Sequence, residues 1–280
     1  MADYLTPLQD DHDLRQGDIL RQYKNPVARE GATWGFVINA DCDLANRKNQ
    51  GHISWLEIVP TEVYWQTFWA PQQLATFARK KSQQLCDQLN SILSKQDAGL
   101  KKLSHELLVD WVQRKRPEEI VSSLGVENKI LLKELTVFSM AVRDNGESNS
   151  LDVLEACQTF LGQSTEKMAA SFRQFITRMD GFPDFFLVPN LPDGDAKGFV
   201  VLLRRMNGAN ETEVFKTELD ARLNDRPQAL HRIGRFQDDV RFQIVQKMSF
   251  LYSRIGSSKA FEADCSQVVD WTIDDRKDQK

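Results

Sequence analysis

Two short β-rich regions lie on either side of a long helical stretch, and neither can fold alone. The first reads as strands near residues 18–23, 34–39 and 53–60, with turn formers Asn25-Pro26, Gly31 and Asn49-Gln50-Gly51 between them. The second reads as strands near 185–189 and 198–203, joined by the hairpin loop Leu191-Pro192-Asp193-Gly194-Asp195, with a shorter strand near 213–216. Each set has too few strands for a stable sheet with its own core. The economical solution is one sheet or barrel built from both, with the helices inserted as a lobe.

From Pro71 to about Arg178 apolar residues recur at helical spacing. Leu74, Phe77, Leu85, Leu89, Ile92 and Leu93 form one stripe. Pro117-Glu118-Glu119 is a helix entry, because proline fits the first turn and acids favour the positive helix end. A helix near 151–161 should stop at Gly162. A last helix, from about Asp238 to Ile255, carries Val240, Ile244, Met248, Leu251 and Ile255 on one face and stops at Gly256. Residues 1–16 and the tail after Gly256 read as solvated polar segments.

The sequence therefore predicts an α+β protein: a split SH3-like β-barrel with an inserted helical lobe and a C-terminal helix. The first part of the barrel spans 17–62, the helical insertion 63–180, the second part with the C-terminal helix 181–256, and the polar tail 257–280.

The net charge of −4 argues against indiscriminate coating of nucleic acid but leaves room for a local basic patch. No basic, apolar leader opens the chain, and no apolar run approaches the ~20 residues of a membrane span, so no membrane partner is expected. Cys42, Cys86, Cys157 and Cys265 are scattered and form no C-x-x-C pair. That argues against a disulfide framework or a cysteine zinc site and for a reducing cytoplasm. Phosphate-loop, dinucleotide, H-E-x-x-H and G-x-S-x-G motifs are all missing, and no cofactor or metal is expected.

The strand Trp34-Gly35-Phe36-Val37-Ile38-Asn39 ends in Ala40-Asp41-Cys42-Asp43-Leu44. Strand ends are where folds place groups that act outside the core. If the strand continues, Asp41 and Asp43 face the same side and could bind Mg²⁺ or share acid and base roles. If a turn follows, they cap backbone amides. Asp43 is expected to accept such bonds, with Cys42 buried. His52 opens the next strand and is the candidate base nearest the loop.

The most basic part of the chain runs from Arg226 to Arg254. Arg232, Arg235, Arg241 and Arg254 are candidates to touch phosphates, with aromatic residues interleaved. Their alternatives are salt bridges to the acidic N-terminal region or a solvated helix face. Arg241, Lys247 and Arg254 differ in angular position, so they make no continuous basic stripe. Arg254 is the candidate anchor for the Asp41–Asp43 loop.

Gly17-Asp18-Ile19, Phe36-Val37-Ile38-Asn39 and Leu56-Glu57-Ile58-Val59-Pro60 resemble the opening of PemK/MazF-like SH3-type barrels. That family consists largely of endoribonuclease toxins, so the resemblance implies a barrel and a possible nuclease. Thr33-Trp34 stands where the family usually has Arg-Pro, and its catalytic residues are not carried over. Gly17-Asp18-Ile19, Asp41-Cys42-Asp43-Leu44 and Arg254-Ile255-Gly256 together resemble uncharacterised bacterial proteins, some from mobile or defence-type loci. The expectation is a cytoplasmic accessory protein that binds a partner protein or RNA. The alternative is a nuclease, PemK/MazF-like or metal-assisted, at the Asp41–Asp43 loop.

Overall fold

Both β regions enter one sheet. The computed structural model describes residues 4–6, 13–22, 34–96, 102–143, 149–177, 184–192, 196–224, 226, 228–253 and 266–268. Strand β1 is Leu5–Thr6, β2 Asp18–Gln22, β3 Trp34–Val37 and β4 His52–Pro60, with a short helix α1, Asp41–Ala45, between β3 and β4. After the helices come β5 (Phe185–Val188), β6 (Phe199–Asn210), β7 (Val214–Phe215) and β8 (Leu230–Phe236). The order across the sheet is β1-β8-β2-β3-β4-β6-β5, and β7 pairs with β8. The β4–β6 ladder joins the two regions, as the strand count requires.

The path ends at β1 and β5, and no ladder joins them among the described residues. The sheet is therefore open, where the resemblance implied a barrel. Residues of both β regions nevertheless share a core. Ile19, Phe36, Leu56, Ile58, Val188, Phe199, Val201 and Phe236 are buried together. A Cβ added to Gly234 on β8 would lie 2.8 Å from Pro192 Cγ, just beyond β5.

Between β4 and β5 lie α2 (Thr61–Tyr64), a π-helical turn (Trp65–Trp69) and α3 (Ala70–Gln96), then α4 (His105–Arg114), α5 (Pro117–Ser123), α6 (Lys129–Val142), α7 (Ser150–Phe160) and α8 (Thr165–Ile176). Their starts follow ordinary capping chemistry. Asn128 accepts from the backbone N–H groups of Ile130 and Leu131, each at 3.0 Å. Asn149 does the same for Leu151 at 3.0 Å, and Pro117 is the first residue of α5. Gly162, at φ +78°, follows α7 in the left-handed conformation that glycine tolerates best. The stripe residues Leu74, Leu85 and Leu89 are buried with Leu108, Leu135, Phe138 and Phe172 in a second core. Trp65 stacks on Phe172 at 4.7 Å, tying the π turn to α8. None of the helices among the described residues is long and apolar enough to cross a membrane.

After β7 come α9 (Glu218–Asn224), β8 and α10 (Asp238–Tyr252). Helix α10 lays Ile244 and Leu251, with Val240, Val245 and Met248, on the sheet core, as its apolar spacing predicts. Ile255, Gly256 and Arg254 lie outside the described residues. Strand β6 runs to Asn210, seven residues past the expected end at Leu203, because His52–Leu56 of β4 pair with its polar half.

Candidate functional site

Two separate sequence motifs, Gly17-Asp18-Ile19 and Asp41-Cys42-Asp43-Leu44, meet where β2, α1 and α10 converge. Asp18 opens β2 and is fully buried. A buried carboxylate needs charge and hydrogen-bond partners. Arg235 Nε donates to its Oδ1 at 2.5 Å, Arg232 Nε lies 3.1 Å from its Oδ2, and the Arg15 backbone N–H donates to Oδ2 at 2.9 Å. Arg232 and Arg235 are three apart and would face opposite ways on a regular strand. A register shift between Ile19 and Leu20 aligns Gly234 with Ile19 but Arg232 with Leu20. The extra residue on β8 reverses the alternation, and both guanidiniums reach Asp18. Burial pulls the Arg232 guanidinium below its ordinary value, and the Asp18 carboxylate opposes that pull.

The second motif forms a helix. Asp41 and Asp43 are both in the first turn of α1, where acids favour the positive helix end. On a helix two residues turn through about 200°. The two carboxylates therefore point apart, unlike the same-face arrangement of a continued strand. Asp41 Oδ1 accepts from the Gln16 backbone N–H at 2.8 Å, and Asp41 Oδ2 accepts from Arg241 Nη1 at 2.9 Å. Arg241 Nη1 also donates to the Gln16 carbonyl at 3.2 Å, and its Nη2 pairs with Asp238 at 3.0 Å. Gln16 Nε2 in turn donates to the Ile38 carbonyl at 2.9 Å.

Two expectations for this loop are corrected. The backbone amide goes to Asp41; among the described residues Asp43 Oδ1 meets the adjacent Cys42 thiol at 3.7 Å and no backbone amide. Cys42 is exposed instead of buried, because the helical turn points it away from the core. The anchor that reaches the loop is Arg241. Arg254, the residue expected there, is not among the described ones.

His52 sits at the start of β4 with its side chain exposed, and no hydrogen bond or ion pair joins its ring to Asp41 or Asp43. Its carbonyl accepts from Asn39 Nδ2 at 3.1 Å, while Asn39 Oδ1 accepts from the Ser54 N–H at 2.6 Å. Asn39 thus fastens the end of β3 to β4 and fixes where α1 begins. Among the described residues no three His, Cys, Asp or Glu side chains are grouped to hold a metal ion.

Outside this network lies a cleft of about 660 Å³, lined by Arg15, Asp41, Cys42, Arg47 and Glu211 among others. Asp43 is not part of its wall.

Asp18, Gln16 and Asn39 are site residues that pattern reading passes over. The usable signal is the Gly-Asp pair before an apolar strand, since a charge at that position demands a distant counter-charge.

Comparison with known proteins returned no matching family model, no similar curated protein and no similar solved structure.

Proposed function

We propose that this protein is a cytoplasmic binding module that docks on a weakly charged, apolar surface of a partner protein. It would serve as an accessory component of a bacterial defence-type system. The observation that carries this reading is the outer face of α10. From Phe242 to Ser253 the exposed residues are Phe242, Gln243, Gln246, Ser249, Phe250, Tyr252 and Ser253, without one charge. Phe242 is 54%, Phe250 45% and Tyr252 46% exposed, a pattern of aromatic surface typical of interfaces. Phe250 and Tyr252 lie about 80° to either side of Phe242 around the helix. A helix with apolar residues on both faces has one face for its own core and one for something else.

The site chemistry supports the same reading. Asp41 holds a backbone amide and a guanidinium, and Arg232 and Arg235 are committed to Asp18. Three of the arginines expected to meet RNA are thus used inside the protein. The free thiols Cys42, Cys86 and Cys157 fit a reducing compartment. An SH3-like barrel is the finer reading of the sheet, supported by the contact of Pro192 with Gly234 and by the shared core.

A nuclease is the second reading, favoured by the cleft that brings Asp41 beside Arg15 and Arg47. One set of variants separates the two. Asp43→Asn, Asp41→Asn and Phe242→Ser are assayed for melting temperature, RNA cleavage, and cross-linking to partner proteins in cells. The binding reading expects no RNA cleavage by the wild type and loss of a specific cross-linked protein in Phe242→Ser at unchanged melting temperature. Cleavage that Asp41→Asn or Asp43→Asn abolishes without loss of stability would overturn it.

A further inference from the structure

We propose that the cleft where the sheet meets the helical lobe binds a small phosphomonoester. This inference is independent of the partner-binding reading. The cleft holds about 280 Å³ and is lined by Tyr64, Phe68, Gln72, Asp184, Arg204 and Arg205, with the buried Leu202 also in its wall.

Two departures from regular secondary structure build it. The π-helical turn Trp65–Trp69 interrupts the helix that leaves β4, and such turns recur at functional sites. Tyr64 and Phe68 stack there with ring centroids 5.6 Å apart. The second departure is in β6. Leu56 faces Met206 but Ile58 faces Val201, so two steps of β4 span five of β6. Consecutive strand residues normally point to opposite faces. This bulge instead brings both Arg204 and Arg205 to one cleft, a way in which bulges re-aim side chains at sites.

The bulge in β8 turns its two arginines inward onto a buried carboxylate. The bulge in β6 leaves its pair facing solvent. The Arg204 and Arg205 side chains are 63% and 56% exposed, and the carboxylates that pair with them among the described residues stand off, Asp184 at 3.7 Å and Glu57 at 3.5 Å. A charge-assisted bond is shorter, about 2.7–2.9 Å. Each guanidinium has five N–H donors, so most of each fork remains for a ligand. Arg205 lies over the Phe68 ring with its Cζ 4.8 Å from the centroid, a cation–π contact that holds the guanidinium at the aromatic wall of the cleft.

Tyr64 adds a neutral donor. Burial, and then the Asp184 charge, push its phenol well above the ordinary value, so it keeps its proton. Two guanidinium forks, a phenol and the Gln72 amide suit the oxygens of a phosphate dianion. Phe68 and Leu202 suit an apolar body beside it. The volume lies at the small end of ligand pockets, room for a phosphoryl group and about one ring, not for a strand of nucleic acid.

The test is calorimetric titration with phenyl phosphate at fixed ionic strength, with benzoate and inorganic phosphate as comparisons. The wild type should bind phenyl phosphate at one saturable site, more tightly than either comparison. Arg204→Gln and Arg205→Gln should each weaken binding at least about tenfold, as expected for loss of a charge-assisted contact. Asp184→Asn, which removes the competing carboxylate, should tighten it. All three positions are on the surface, and a melting curve confirms that each variant is folded. Absence of saturable binding, equal affinity for benzoate, or affinity unchanged in Arg204→Gln and Arg205→Gln would overturn the assignment.

Discussion

Arg241 on α10 reaches across to Asp41 on α1, Nη1 to Oδ2 at 2.9 Å, and the same nitrogen donates to the Gln16 carbonyl at 3.2 Å. One side chain thus ties α10 to the entry of β2 and to the start of α1 after β3. It is 8% exposed, and its stem lies flat against Gly17.

Truncating this tie should loosen three elements at once. Arg241→Ala is expected to cost about 1.5–3 kcal/mol, the range for hydrogen bonds to a charged group. Asp41 is 43% exposed at its side chain, so water moderates the loss. Arg241→Lys keeps the charge but not the planar fork, and should recover only part of the stability. Urea melts of both variants measure this. A wild-type midpoint for Arg241→Ala would show that the contact contributes nothing.

Asp18 is a stronger case, because it has no water to fall back on. Asp18→Asn leaves Arg232 and Arg235 largely buried without their counter-charge and should cost about 3–5 kcal/mol. Adding Arg232→Met removes one of the stranded charges and should restore part of that loss. Chemical denaturation of the single and double variants gives the coupling. Strictly additive losses would mean that Arg232 and Asp18 do not act as a pair.

How much of this was legible beforehand depends on how far apart the partners are in the chain. The shared sheet and the helical stretch follow from strand count and apolar spacing, which are local properties. Strand β8 does not. Leu230-His231-Arg232-Ile233-Gly234-Arg235-Phe236 breaks the alternation of a half-buried strand with three basic residues and a glycine. It is a buried strand only because Asp18 waits 217 residues away from Arg235 and a bulge turns both arginines toward it. Helix α1 is five residues long, too short for any periodicity to show, so nothing in the spacing selects Asp41 over Asp43 as the amide acceptor. The helix makes them different. The anchor seen at the loop is Arg241; Arg254 lies outside the described residues, and residue spacing alone cannot say how α10 lies across Gly17.

Buried thiols give the fold an alkaline limit. Burial pushes Cys157 up to about 11 and moves Cys86 in the same direction. A group with a raised folded value keeps its proton in the native state while the unfolded chain ionises from about 8.5 upward. Its contribution is therefore full below the unfolded value and is lost as pH rises toward 11. Stability measured across that window should fall more steeply for the wild type than for Cys157→Ala. Equal slopes would mean that the thiol ionises alike in both states.

Gly17 is where backbone and side-chain demands coincide. Its φ is +90°, its N–H donates to the Val37 carbonyl at 2.9 Å, and its carbonyl accepts from the Phe236 N–H at 3.0 Å. A residue with a Cβ is strained in that conformation. An added Cβ would also lie 2.6 Å from Arg241 Cδ and 2.9 Å from its Cγ. That stem cannot simply swing aside, because its guanidinium is held by Asp41, Asp238 and the Gln16 carbonyl. Gly17→Ala should therefore carry two costs, backbone strain on the order of 1–2 kcal/mol and the displacement of Arg241. The second vanishes when the stem is already gone. In the Gly17→Ala, Arg241→Ala double variant the loss should accordingly be smaller than the sum of the single losses. Neighbours in contact couple in this way, typically by about 0.5–3 kcal/mol. A thermodynamic cycle from urea melts of the four proteins measures it. Additivity would place the Arg241 stem away from Gly17 and undo the account of why a glycine precedes Asp18.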